Sequence, residues 1–407
     1  MRGILLVLFC LFSCYALAQN PAGMINPAST TTVVDTVGQR DLIGIVVHVL
    51  RFHPKGPPHV DGKRVYFSLL PLSTSVPGGG NALVTSTQAG FYLGNRKTTY
   101  LSNITFSPSI NLRGQFNLPF HSNIWSAENA WNYQGDTRFS IYPQNTWGLG
   151  ASQPEDHKIL IRYKYVRVYQ NALKRIEPYL FAGFGYNMDF NIGIHTDNDT
   201  TDLKRFTGYQ YGTTNNSNSF SSGITLNLLY DTRNNSINPL PGTFFNIIYR
   251  VNPQLLGSNT NWHSLYLDAR KYISLRPVGQ NVLALWTYLW TTLGSNAPYL
   301  NLPSIGWDPN QRSGRGFYPG RYVGKTLYYA EAEYRRDITN DGLFGFVVFG
   351  EVTTATEPHT AEFAHIHPAA GTGLRIKFNK RSASNVGIDF GFSKNYNTIG
   401  INLGEAF

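Results

Sequence analysis

The sequence predicts an all-β fold: a transmembrane antiparallel β-barrel of about sixteen strands with a short N-terminal helical segment. Three observations predict it. Apolar and polar residues alternate with period two in runs of about ten, the length a tilted strand needs to cross a bilayer. Charged residues and aromatics each make up 14% of the 407 residues, led by 25 Tyr and 25 Phe. An ordinary soluble chain carries about 25% charged residues. Yet mean hydropathy is −0.23, too low for a bundle of spanning helices. The lipid and lumen faces of a barrel strand cancel in such an average. Finally, no apolar run of about 18 residues follows the first 19 positions, so no helix is expected to span.

The chain opens MRGILLVLFCLFSCYALAQN. Arg2 is a basic start, Ile4 to Leu11 a short apolar core, and Ala16-Leu17-Ala18 a small-residue cleavage site. Residues 1–19 therefore read as a secretory signal peptide, with Sec-dependent export and cleavage after Ala18 or Gln19. Both cysteines, Cys10 and Cys14, fall inside it, so no disulfide or thiolate metal site is expected in the mature chain. Leu11-Phe12-Ser13-Cys14 is a poor lipidation box because of the bulky Phe12. Net charge is +10, but Lys and Arg are scattered rather than clustered. That favours a solvated lumen and contacts to anionic headgroups over nucleic acid.

Residues 20–63 form a separate N-terminal segment. It is Pro/Ser/Thr-rich to Thr36, and Asp41 then caps a short apolar stretch that ends at Phe52. We expect a short helix there, in the barrel lumen or at the membrane interface. A strand is the alternative, given its Val and Ile. His53-Pro-Lys-Gly-Pro-Pro58 breaks the chain. The barrel is expected over 64–407. Ile159-Leu-Ile-Arg-Tyr-Lys-Tyr165, Ile224-Thr-Leu-Asn-Leu-Leu-Tyr230, Val386-Gly-Ile-Asp-Phe-Gly-Phe392 and Ile399-Gly-Ile-Asn-Leu403 show the alternation. By parity Asp389 falls on the lumen side. Phe407 is read as closing the last strand, with Glu405 on its apolar face.

Three stretches carry a family resemblance. Asp231-Thr-Arg-Asn-Asn-Ser-Ile-Asn-Pro-Leu-Pro-Gly242 places Asp231, Arg233, Asn238, Pro239 and Gly242 in a strand-turn-strand pattern, the last three making a tight turn. Ser313-Gly-Arg-Gly-Phe-Tyr-Pro-Gly-Arg321 contains Arg315-Gly316-Phe317, in which Gly316 permits a sharp reversal. Val347-Val-Phe-Gly-Glu351, Gly371-Thr-Gly-Leu-Arg375 and Asp389 follow on closing strands. In this order the stretches resemble the BamA/TamA superfamily, the bacterial surface antigen family of outer-membrane assembly factors. The resemblance covers roughly 64–407. It implies that the Arg315 loop folds back into the lumen. There the arginine needs a carboxylate partner, because a buried unpaired charge is costly. Glu351 and Asp389 are the candidates, although the family usually has Asp where this chain has Glu351. A final strand with a terminal aromatic, Phe407, looks like the sorting signal of such barrels. Standard members carry periplasmic POTRA domains, and the segment before residue 64 is too short for one. The chain thus resembles a barrel-only branch, without patatin-like or phosphoesterase domains.

The resemblance implies an integral protein of a Gram-negative outer membrane that inserts or transports proteins or lipids. Its partners would be outer-membrane lipids, lipopolysaccharide included, and one or more proteins of a larger complex. A passive diffusion pore is the alternative. No enzyme activity and no cofactor are expected: there is no G-x-S-x-G elbow and no H-E-x-x-H. The glycines around Gly316 lack the strand-then-helix context of a phosphate cradle. Glu357, His359, Glu362, His365 and His367 form a cluster expected to be solvated loop residues rather than a metal site.

Overall fold

A computed structural model describes residues 38–51, 65–75, 81–112, 114–141, 143–197, 202–233, 235–276, 280–294, 296–309, 311–394 and 396–407. The expected signal peptide and most of the 20–63 segment lie outside the described residues.

The described strands form one sheet of eighteen segments. They are β1 (Tyr66–Ser75), β2 (Asn81–Phe91), β3 (Ser102–Phe106), β4 (Ser109–Ile110), β5 (Phe116–Trp125), β6 (Trp131–Ile141), β7 (Gln144–Thr146), β8 (Ile159–Glu177) and β9 (Leu180–Thr196). The second half holds β10 (Ser217–Asp231), β11 (Gly242–Asn252), β12 (Trp262–Ser274), β13 (Asn281–Leu293), β14 (Thr326–Asp337), β15 (Phe344–Ala355), β16 (His367–Asn379), β17 (Ser384–Ser393) and β18 (Tyr396–Leu403). β3 and β4 share the partners β2 and β5, and β6 and β7 share β8. Each of these two pairs is therefore one crossing. Pro108 and Pro143 lie in the breaks, where a residue without an N–H cannot continue a ladder. Eighteen segments less two make sixteen crossings, an even number of antiparallel neighbours, as a closed barrel of this type requires. β1 touches β18 across the seam, and Ser68 Oγ lies 3.3 Å from Ser384 Oγ of β17.

Connections divide by end. Short turns such as 178–179, 338–343 and 380–383 lie at one end, and long connections such as 197–216 and 294–325 at the other. Alternation then sorts the side chains. On β10, Ile224 and Leu226 are half-exposed on the outer wall while Thr225 and Asn227 are buried inside. β8 departs from this pattern near the long-loop end. Ile161 and Tyr165 are buried there, while Arg162 and Lys164 face outward. That half of the 19-residue strand overshoots the length a bilayer crossing needs. Its inner face packs on loops instead, and its basic face meets water.

The N-terminal segment forms a helix rather than a strand: α1 (Leu42–Val49), with Asp41 Oδ1 accepting from Gly44 N–H at 2.8 Å. It is outside the lumen, since none of its residues is buried.

The end of the barrel differs from expectation. β18 stops at Leu403, Gly404 takes φ +95°, and the chain turns inward. Phe407 therefore does not close the strand. Its ring packs inside the barrel, 5.1 Å from Trp286 and 6.1 Å from Tyr272. Glu405 lies on no lipid face; it is buried against Arg375 and Asn385. The physical reason is local. Gly404 accepts a left-handed conformation cheaply, and the lumen offers an aromatic cluster and a guanidinium that lipid cannot.

Candidate functional site

The 294–325 connection enters the barrel from the long-loop end. Its inner turn is built by Asp308, whose carboxylate accepts from the N–H of Arg312 and from the N–H and hydroxyl of Ser313. Gly314, at φ +74°, then reverses the chain. Phe317 N–H donates to Gly314 O at 2.9 Å, and Gly320 N–H to Ile305 O at 2.9 Å. These bonds close the loop on itself before it meets the wall.

At its tip Arg315 reaches three carboxylates. Nη1 donates to Asp389 Oδ2 at 3.0 Å, and Nη2 donates to Glu331 and to Glu333. The guanidinium carbon stands 3.7 Å from the Phe349 ring centre, a cation–π placement that costs little solvation. Glu351 does not pair with the guanidinium. Its Oε1 accepts from Gly316 N–H at 2.6 Å, and its Oε2 lies 2.6 Å from the Tyr329 hydroxyl, which also bonds Glu331. Of the two candidate partners, Asp389 takes the guanidinium and Glu351 holds the neighbouring backbone. Asp389 is where parity put it, facing the lumen.

Close approach explains the glycines. A Cβ on Gly391 of β17 would stand 2.4 Å from Arg315 O, and one on Gly316 would stand 2.6 Å from Ala369 Cβ. Loop backbone and barrel wall touch with no side chain between them. Phe317 is buried and packs 5.7 Å from Tyr322.

The network extends beyond the loop. Asp389 also accepts from Arg375 at 2.6 Å, and Arg375 donates to Glu405 at 2.8 Å. Arg335 pairs with Glu333 and donates to Phe407 O at 2.8 Å. Arg312 donates to Glu405 O at 3.2 Å. Loop tip, wall and inturned tail are therefore one connected polar system. Glu331 and Glu333 escaped the sequence reading. Their signal was the run Ala330-Glu-Ala-Glu-Tyr-Arg335, whose alternation puts Glu331, Glu333 and Arg335 on one face of β14.

On the far side of the loop lies a cavity of 480 Å³. Asp136, Arg167, Arg250, Asp268 and Arg270 line it, and each is ion-paired: Asp136 with Arg167 and with Arg138 behind the wall, Arg250 with the fully buried Asp189, and Asp268 with Arg270. These charges are paired with one another, whereas Arg312, which also lines the cavity, bonds a backbone oxygen.

The 231–242 turn is a second assembly, at the short-turn end. Arg233 lies bidentate on Asp231, at 2.9 and 2.8 Å, and 4.1 Å over the Phe244 ring. Asn238 Oδ1 accepts from Gln280 at 2.9 Å, and Pro239 is buried beside it. A Cβ on Gly242 would meet Arg233 Cα at 2.9 Å. Together these residues make a structural corner.

The His/Glu cluster does not converge. Glu357 accepts from Ala151 N–H and the Ser152 hydroxyl, and His367 stacks on Tyr322 with ring centres 4.2 Å apart. Among the described residues no three His, Cys, Asp or Glu side chains form a group suited to a metal.

The sequence matches no protein-family model and no curated protein. Solved structures do resemble it. BamA from Haemophilus ducreyi lacking POTRA domains 1–3 superposes with a TM-score of 0.51 at 13% identity, covering 84% of this chain and 69% of that one. CdiB from Acinetobacter baumannii gives 0.53 at 12%, covering 84% and 60%. CdiB from Escherichia coli gives 0.54 at 10%, covering 86% and 62%. The chain thus spans less than two thirds of either CdiB structure. At such identities the likeness is one of fold: a sixteen-crossing antiparallel barrel.

Proposed function

We propose that this chain sits in a bacterial outer membrane and helps insert or transport proteins or lipids, with its lumen gated by the 294–325 loop. The observation that carries the reading is the seating of Arg315 among Glu331, Glu333 and Asp389 inside the barrel. The fold shared with BamA and CdiB supports it. Removing one partner from a buried ion cluster costs about 3–5 kcal/mol. The lumen carboxylates would be left unpaired whenever the loop leaves, which favours the seated state. Opening then needs a client or a protein partner, which we propose acts with this barrel in a larger complex.

A passive diffusion pore is the second reading, favoured by the 480 Å³ cavity, whose lining includes Asn, Gln, Asp and Arg side chains. Planar-bilayer recording separates the two. The native chain should conduct only in rare openings, and Arg315→Ala should make openings frequent. A steady open conductance indifferent to Arg315→Ala would give the pore reading and sink the gate.

A further inference from the structure

Helix α1 reads Leu42-Ile-Gly-Ile-Val-Val-His-Val49, apolar around nearly its whole circumference, and none of its residues is buried. Val46 is 51% and Val49 69% exposed. A helix apolar on every side belongs inside an apolar medium, and the barrel does not provide one. The helix is pinned at its head. Asp41 Oδ2 accepts from Lys380 N–H at 2.8 Å, Lys380 Nζ donates to Gln39 O at 3.0 Å, and Arg40 N–H donates to Asp341 O at 3.0 Å. These anchors hold it at the short-turn end, beside the 338–343 and 380–383 turns. The outer wall nearby is apolar too: Ile338, Phe344 and Leu374 are exposed. Charge follows the same edge. Arg40 and Arg51 bracket the helix, and Lys271, Arg276, Arg336 and Arg381 stand exposed around that end. Asp341, the carboxylate beside α1, is partly buried and pairs with Arg40 at 3.8 Å; among the described residues the exposed carboxylates of that end, Glu128 and Glu177, lie away from α1, in the turn after β5 and at the end of β8.

We propose that α1 lies in the headgroup–acyl boundary of the phospholipid leaflet at the short-turn end. Its aliphatic side chains enter the acyl region, and the neighbouring arginines and lysines hold anionic phosphates. Long basic side chains reach headgroups while their stems stay in apolar surroundings. The helix would then tie the N-terminal segment to the leaflet and keep it out of the lumen. This rests on the reading of the chain as a membrane barrel.

The test uses the full chain with Cys10→Ser, Cys14→Ser and Val49→Cys, the new thiol carrying an environment-sensitive fluorophore. The protein is reconstituted in vesicles of phosphatidylethanolamine and phosphatidylglycerol containing nitroxide-labelled lipid. A parallel sample with Leu226→Cys reports on the outer wall of β10. Both labels should be quenched. Arg336→Glu with Arg381→Glu, or omission of phosphatidylglycerol, should weaken quenching at position 49 alone, with association falling about fivefold per basic residue removed. If position 226 is quenched while position 49 answers only to an aqueous quencher, the helix faces water and the proposal is overturned. Protection of position 49 from both quenchers means it packs on a second copy or another protein, which overturns the proposal equally. Loss of quenching at position 226 overturns the barrel reading, and the helix proposal falls with it.

Discussion

At the scale of single residues, the cluster at the loop tip is an uneven set of charges. Arg315, Arg335 and Arg375 face Glu331, Glu333, Glu351, Asp389 and Glu405. Carboxylates outnumber guanidiniums, so losing a cation should hurt more than neutralising an acid. Arg315→Ala should lower stability by about 3–5 kcal/mol, read as a drop in the urea midpoint in detergent. Glu351→Gln keeps an acceptor for Gly316 N–H and should cost only about 1 kcal/mol. Because Glu351 holds backbone rather than guanidinium, adding Glu351→Arg to Arg315→Glu should not restore stability. Recovery in that double variant would mean Arg315 and Glu351 are direct partners. Parity made Asp389 legible in the sequence. Glu331 and Glu333 were equally legible by parity, but the family motif drew attention to the following strand.

At the scale of elements, glycines decide whether the loop can dock. Gly391→Val would thrust a side chain into Arg315 O. The loop should then stay unseated and be cut by trypsin near Arg315 in the folded protein. Gly350→Val is the control, since an added Cβ there meets nothing within 4 Å, and its cleavage pattern should match the parent. Tail residues 404–407 act as a second insert. Phe407→Ala should cost about 3–5 kcal/mol by leaving a cavity beside Trp286 and Arg335. An unchanged urea midpoint would show that the inturned tail contributes nothing. The sequence pattern suggested that the last strand runs to Phe407, because Gly404 interrupts the alternation at a single position. Only the aromatic cluster inside the barrel made the turn inward favourable.

For the whole molecule, sixteen crossings enclose a lumen that would be wide enough for water if empty. Loop and tail together fill much of it, leaving the 480 Å³ cavity to one side. The proposed gate requires that something else open a barrel filled in this way. Purification from native outer membranes in mild detergent, followed by mass spectrometry, should bring down a stoichiometric protein partner. A lone barrel in repeated preparations would move the weight to the pore reading.

Period-two alternation, sparse charge and the spacing of turns were enough to specify an all-β barrel, while the apolar stretch behind the Asp41 cap pointed to a short helix and left a strand open. They also specified the lumen side of Asp389. These are local or periodic properties, and strand geometry converts them directly into faces. Which carboxylates meet Arg315, where Glu405 and Phe407 go, and which way the Ile and Tyr face of β8 points were decided by tertiary structure alone. Each depends on what stands across the lumen. A buried guanidinium takes whichever carboxylates the neighbouring strands bring within reach, and an aromatic side chain takes the cluster that removes it from water.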